Sequence, residues 1–283
     1  MIFAELDWTS IALRVFVYIA TIAVAGGVFI RATPGMREMS GIISAQIAAG
    51  IALLFISEPL RYLAFQLSIA QGDWSMAFDP AMRWMGLETP LGQASAARLV
   101  GAAFVLVGFL WRPLSIAGAL IVIGSYLLEG HTVSSDTRIG LASLLFLHLL
   151  IVHWWMGALV PLRTALQGEN NKTVASTVEQ FGRLAVAAVA VLFVAGALTL
   201  LILTNWKLDL NQAYQQGFAL KLLAFAAILL IAAVNKLCWT PLLETEPERG
   251  KRGLRAWLII EMMVAGCILI ATATTLSFPP AEH

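Results

Sequence analysis

Two histidines of this chain, His148 and His153, lie in an apolar stretch that continues to Pro161 and is long enough to cross a bilayer. An ionisable side chain at such a position is costly and marks a functional site by default. Neutral imidazole is a common ligand for transition metals, and Met156, three residues after His153, adds a thioether suited to soft ions. On a helix of ~3.6 residues per turn, histidines five apart point about 140° away from each other, so they cannot chelate one ion as an i,i+4 pair would. Each must therefore find its own neighbours. Trp155 falls on nearly the stripe of His148. A lone histidine in a membrane helix can equally be a hydrogen-bonded structural residue, but His131 lies near this pair in sequence and strengthens the ligand reading. His283, at the tail, is expected to be solvated.

Composition fixes the setting for these side chains. Of 283 residues, 59% are hydrophobic and 12% charged, and the mean hydropathy is +0.82. Soluble domains carry roughly 25% charged residues, so the expected class is an all-α, polytopic integral membrane helix bundle. A net charge of +1 gives no concentrated basic face for nucleic acid. Cys238 and Cys267 lie in or beside apolar spans, which provides neither a disulfide framework nor a CxxC site, and packing is the expected role of each. Glu5 and Asp7 precede the first apolar run and Arg14 is already within it, unlike a cleaved signal peptide, so the first span is expected to be retained.

Segments near the ~20 residues that a crossing needs run from Ser10 to Ile30, from Gly41 to an interruption at Ser57-Glu58-Pro59, and from Gln93 to Leu110. Others run from Leu114 to Leu128, Ile139 to Val160, Phe181 to Leu203, Gly217 to Trp239 and Leu254 to Phe278. That is about eight crossings, with Arg61 to Ala70 a kinked or interfacial continuation of the second. The whole chain, 1–283, reads as one transmembrane domain. Its surface loop, 71–92, is rich in Trp74, Phe78, Trp84, Met76, Met82 and Met85, as suits the headgroup region. Those methionines could also gather a soft metal, although they form no tight repeat.

With the N-terminus outside, inner loops and span ends carry eleven bases: Arg31, Arg37, Arg112, Arg163, Lys172, Arg183, Lys236, Arg249, Lys251, Arg252 and Arg255. The outer ones carry four, Arg61, Arg83, Arg138 and Lys207, a positive-inside bias that puts both termini on the outer, periplasmic side. His148 then falls near the midplane, and His153, Asn235 and Glu261 in the inner half. Arg14, Arg98, Lys221, Glu58, Glu129 and His131 lie near the outer surface, where long basic side chains taken singly can snorkel.

The run from Gly130-His131 through His148-Leu-Leu to Trp155-Met156-Gly157-Ala158-Leu159 resembles the signature of the bacterial copper-resistance protein D (CopD) family. So do Phe181-Gly182-Arg183-Leu184-Ala185, Gly217 to Lys221 with Asn235-Lys236 and Pro241, and Leu254-Arg255 with Glu261 and Pro279-Pro280. The resemblance covers 129–280, whereas residues 1–128 fit the family's eight-span layout without a motif. Gly182, Ala158, and Phe218 with Ala219 depart from the family pattern, and His153 lies outside it.

The resemblance implies a multi-pass protein of the bacterial inner membrane that handles copper ions, Cu(I) or Cu(II), and moves them from periplasm to cytoplasm. It also implies a small periplasmic copper-binding protein of the CopC type as partner. Joined to the depth sorting, the expected route takes copper from an outer mouth at Glu129 and His131 to His148. From there His153, Met156, Asn235 and Glu261 could pass it inward, with Trp155 and Lys221 in support. Glu261 could instead pair with Arg183 or Arg255, or join Asn235 in a helix-to-helix hydrogen bond. No Walker loop, phosphorylation sequence or hydrolytic arrangement is present, so neither ATP-driven pumping nor an enzyme is expected. Two other classes stay open: a haem-binding electron carrier using His148 with His131 or His153, and a copper sensor or scaffold that transports nothing.

Overall fold

A computed structural model describes residues 7–36, 39–129, 138–168, 170–203 and 213–275. Among the described residues every regular element is helical. Seven helices are long and apolar enough to cross a membrane, and an eighth apolar helix, Arg112–Leu127, is shorter. The expected polytopic helix bundle is therefore what forms.

In chain order the helices are α1 (Trp8–Ala32), α2 (Ser40–Ile69), α3 (Trp74–Ala77), α4 (Pro80–Glu88), α5 (Pro90–Val107) and α6 (Arg112–Leu127). After them come α7 (Arg138–Ala165), α8 (Asn171–Leu203), α9 (Ala213–Val234), α10 (Leu242–Thr245) and α11 (Pro247–Thr275). Helix α1 contains a π-helical turn at Ile22–Gly26, and a second π turn, Asn235–Trp239, extends α9. The chain divides into two compact units, one of Met1–Phe29 with Ser44–Trp154 and one of Ile30–Ile43 with Trp155–His283.

Pro59 lies inside the continuous helix α2, so Arg61 to Ile69 continues that helix rather than forming a separate interfacial piece. The expected stop at Pro161 does not occur, since α7 runs on to Ala165. Proline removes one donor from the backbone ladder, but within a membrane the remaining groups still gain more from helix than from any unsatisfied alternative. Polar starts were also underestimated. Helix α8 begins at Asn171, ten residues before the apolar run at Phe181, and α11 begins at Pro247.

The surface loop is ordered as two short helices. Asp73 caps α3 by accepting from the amides of Ser75 and Met76, and Asp79 caps α4 by accepting from Ala81 and Met82. Tyr62 donates to the carbonyl of Arg83 at 2.6 Å, and Gln66 donates to that of Met82 at 3.3 Å, tying α4 to α2. Trp74, Phe78, Trp84 and Met85 remain exposed. Met82 and Met85 sit three residues apart on one face of α4, a closer pairing than the expected absence of a tight repeat.

In unit 1 the α5–α6 hairpin is drawn tight by small residues. A Cβ on Gly101 would lie 2.7 Å from the Gly118 carbonyl oxygen, and one on Gly118 would lie 2.5 Å from that of Gly101. Such close approach is the usual source of packing energy between helices in lipid. Gly118→Ala should therefore lower the unfolding free energy in detergent by about 1–3 kcal/mol, the usual cost of overpacking. Gly124→Ala on the same helix, where a Cβ would meet nothing within 4 Å, should leave it unchanged.

Candidate functional site

Unit 1 holds a buried network of charge. Arg98 on α5 and Glu58 on α2 are both wholly shielded from solvent, and Arg98 Nη1 donates to Glu58 Oε1 at 2.7 Å. Ser95, one turn before Arg98, donates to the other Glu58 oxygen at 2.6 Å. Glu129, at the end of α6, accepts from both terminal nitrogens of Arg61, at 3.1 and 3.2 Å, and from Arg98 at 3.3 Å. Two carboxylates and two guanidiniums thus balance one another. Burial alone would raise the Glu129 carboxyl, but Arg98 and Arg61 outweigh it and hold the group below its ordinary 4.5.

This arrangement changes one expectation. Arg98 does not snorkel, because Glu58 and Glu129 neutralise it in place. Glu129, the residue expected at a metal mouth, stands within this charge-balanced network and accepts from Arg61 and Arg98.

From Arg98 the polar contacts continue inward. Its guanidinium carbon lies 4.4 Å from the centre of the Tyr126 ring, within cation–π range. The Tyr126 hydroxyl is 2.8 Å from Thr21 Oγ1, and Thr21 donates to the Tyr18 carbonyl at 3.0 Å. Since Thr21 has a single hydroxyl hydrogen, Tyr126 is the donor in their shared bond. Thr21 immediately precedes the π turn of α1.

At the far side of this hydroxyl pair lies His153, only 3% exposed. Its Nδ1 is 2.7 Å from the Leu149 carbonyl oxygen. A carbonyl can only accept, so Nδ1 carries the proton and Nε2 the lone pair. Nε2 lies 3.4 Å from Thr21 Oγ1, whose hydrogen is already given to Tyr18. The Tyr126 ring is centred 6.1 Å from the imidazole. Histidines that bind metals are commonly held in this way, one ring nitrogen donating to a carbonyl and the other presented with its lone pair.

His148 is placed differently: its side chain is exposed. It shares α7 with His153 but points away from it, as the helical angle requires, so the two cannot clamp one haem iron from opposite sides. Met156 is half-buried and belongs to unit 2. His131, His283 and the side chain of Lys221 lie outside the described residues. Among the described residues, no group of three or more His, Cys, Asp or Glu side chains is placed to hold a metal.

Unit 2 contains a second polar group. Asn235, the first residue of the π turn after α9, donates to Glu261 Oε2 on α11 at 2.9 Å, and the Trp155 side chain also hydrogen-bonds to Glu261. This is the helix-to-helix bond between Asn235 and Glu261 named as one option for the pair. Arg183 pairs instead with Glu179 on its own helix at 3.0 Å. Cys238 and Cys267 are both exposed free thiols rather than packed ones.

Comparison with known families gives two matches. Residues 175–275 match copper resistance protein D, and residues 5–141 match the N-terminal domain described as copper resistance protein D-like. No curated protein and no solved structure matches the chain.

The charge network generates two expectations. Arg98→Met leaves Glu58 buried without its closest counter-charge and should cost about 3–5 kcal/mol in detergent unfolding; adding Glu58→Gln should recover part of it. Because the Glu129 carboxyl is lowered in the folded state, its contribution is complete above the ordinary carboxylate range and lost as pH falls through the lowered folded value. The unfolding temperature should drop on acidification through that window, and Glu129→Gln should flatten the drop.

Proposed function

Because the chain belongs to the copper resistance protein D family, we propose that this multi-pass membrane protein moves copper from the periplasm to the cytoplasm through an intramembrane histidine site. The observation that carries this reading is the buried His153 ring, with Nδ1–H anchored on the Leu149 carbonyl and the Nε2 lone pair presented toward Thr21 and Tyr126. The exposed His148 is the weaker candidate for the intramembrane stop.

In this mechanism copper is cargo rather than a resident cofactor. His131 takes it at the outer face, with a periplasmic protein of the CopC type as donor, and the ion then pauses on His153 Nε2. Transit needs binding strong enough to admit the ion and weak enough to release it, which suits a site of few ligands. Arg98, Glu58, Glu129 and Arg61 do not ligate copper. They fix Tyr126, and through Thr21 they fix the polar wall that His153 faces. Met156 offers a soft ligand on the inner side. On this reading the protein is a carrier located in the inner membrane with both termini in the periplasm, and it catalyses no bond-making step.

Copper uptake into proteoliposomes tests the proposal. His153→Ala should reduce uptake on the order of tenfold or more, the scale of losing a metal-site interaction, whereas His148→Ala should retain most of it. Wild-type flux in His153→Ala, or copper binding with no flux in the native protein, overturns the transport route. A Soret band in the purified protein that shifts on reduction would point to haem instead.

A further inference from the structure

Unit 2 contains a half-open cavity of about 380 Å³ bordered by α7, α8, α9 with its π turn, and α11. Its wall is apolar except for Trp155, Asn235, Lys236, Thr240 and Glu261. Glu261 is 3% exposed and Asn235 8%, so both are more than nine-tenths buried.

The bonding of this pair is incomplete in one particular way. Asn235 Nδ2 and the Trp155 side chain donate to the Glu261 carboxyl, and both are neutral donors. Among the described residues no Lys, Arg or His nitrogen lies within ion-pair distance of Glu261, in contrast to Glu58 and Glu129. Having given its amide hydrogen, Asn235 leaves its Oδ1 buried without a partner among the described residues. A carboxyl and a bare amide oxygen thus border one cavity, and each is satisfied by positive charge. A carboxylate in lipid without a counter-charge is far too costly to persist.

We infer that Glu261 and Asn235 form a site for one small hard cation, a proton or a sodium ion, admitted through this cavity. Oxygen donors favour such ions over cuprous copper, and no thioether, thiol or imidazole lines the cavity. The one other ionisable group on its wall is Lys236; α7, α8 and α11 present no further charge there besides Glu261. Lys236 stands beside Gly182 of α8, where a Cβ would be 3.3 Å from its Nζ. It is the positive charge on the wall of this cavity. That this cation drives copper movement rests on the proposed function.

Difference infrared spectroscopy of the full chain in copper-free liposomes tests the site separately from transport. Acidification should produce a protonated-carboxyl band that Glu261→Gln lacks, while Glu261→Asp keeps a displaced band and so excludes loss by misfolding. Addition of sodium at constant pH removes that band if sodium is the ligand and leaves it unchanged if the proton is. Asn235→Ala should shift the midpoint by about tenfold in ion concentration, the scale of one hydrogen bond to a charged group. Lys236→Met should retain the response and ease ion entry. The inference is overturned if no Glu261-dependent band responds to pH or sodium, or if Lys236→Met abolishes the response, which would make the amine the permanent counter-charge.

Discussion

A guanidinium with no exposure to water is the constraint on which unit 1 depends. Arg98 cannot lose its proton and cannot reach the surface, so the fold must bring negative charge to it. Glu58 arrives from α2 and Glu129 from the end of α6, and Arg61 balances the surplus. Four side chains on three helices are thereby held in register at one end of the unit. Buried ion pairs add little net stability, because desolvation consumes most of the Coulomb gain. Their effect here is geometric: the Arg98 guanidinium lies over the Tyr126 ring, and Tyr126 sets Thr21, whose oxygen faces His153.

That long-range ordering explains which features could be read from the sequence. The helices were legible because apolar length alone identifies a crossing, and the histidines because imidazole in an apolar run is rare. The stop at Pro161 is misjudged because a local donor deficit is weighed without the lipid that penalises every alternative to helix. The charge network was invisible for another reason. Glu58 and Arg98 are 40 residues apart and Arg61 and Glu129 are 68 apart, and no periodicity connects them. Taken one at a time, each resembled a side chain reaching for the headgroups.

The choice between the histidines meets the same limit. Helical angle showed that His148 and His153 face different neighbours but could not say which faces protein. The family signature contains His148, which favoured it, whereas burial and hydrogen bonding favour His153. Every helical residue has a carbonyl four positions earlier, so the acceptor that holds His153 offers no cue in the sequence. It becomes informative only once Thr21 and Tyr126 stand opposite.

Both polar sites adjoin a departure from regular α-helix. Thr21 leads into the π turn at Ile22–Gly26, and Asn235 opens the one at Asn235–Trp239. A π turn adds one residue to the circuit and shifts the bonding that follows, as where the Thr240 amide and hydroxyl both reach the Asn235 carbonyl at 2.9 Å. Such bulges recur at functional sites because they rotate a polar side chain into a bundle without ending the helix that carries it. The two sites then diverge in chemistry. In unit 1 hydroxyl oxygens stand opposite the lone pair of an imidazole nitrogen, the borderline donor on which the proposed copper site rests. In unit 2 the turn sets an amide oxygen beside a carboxyl, an environment for a hard ion. Because ligand type selects the ion, the cations proposed for the two units differ in kind.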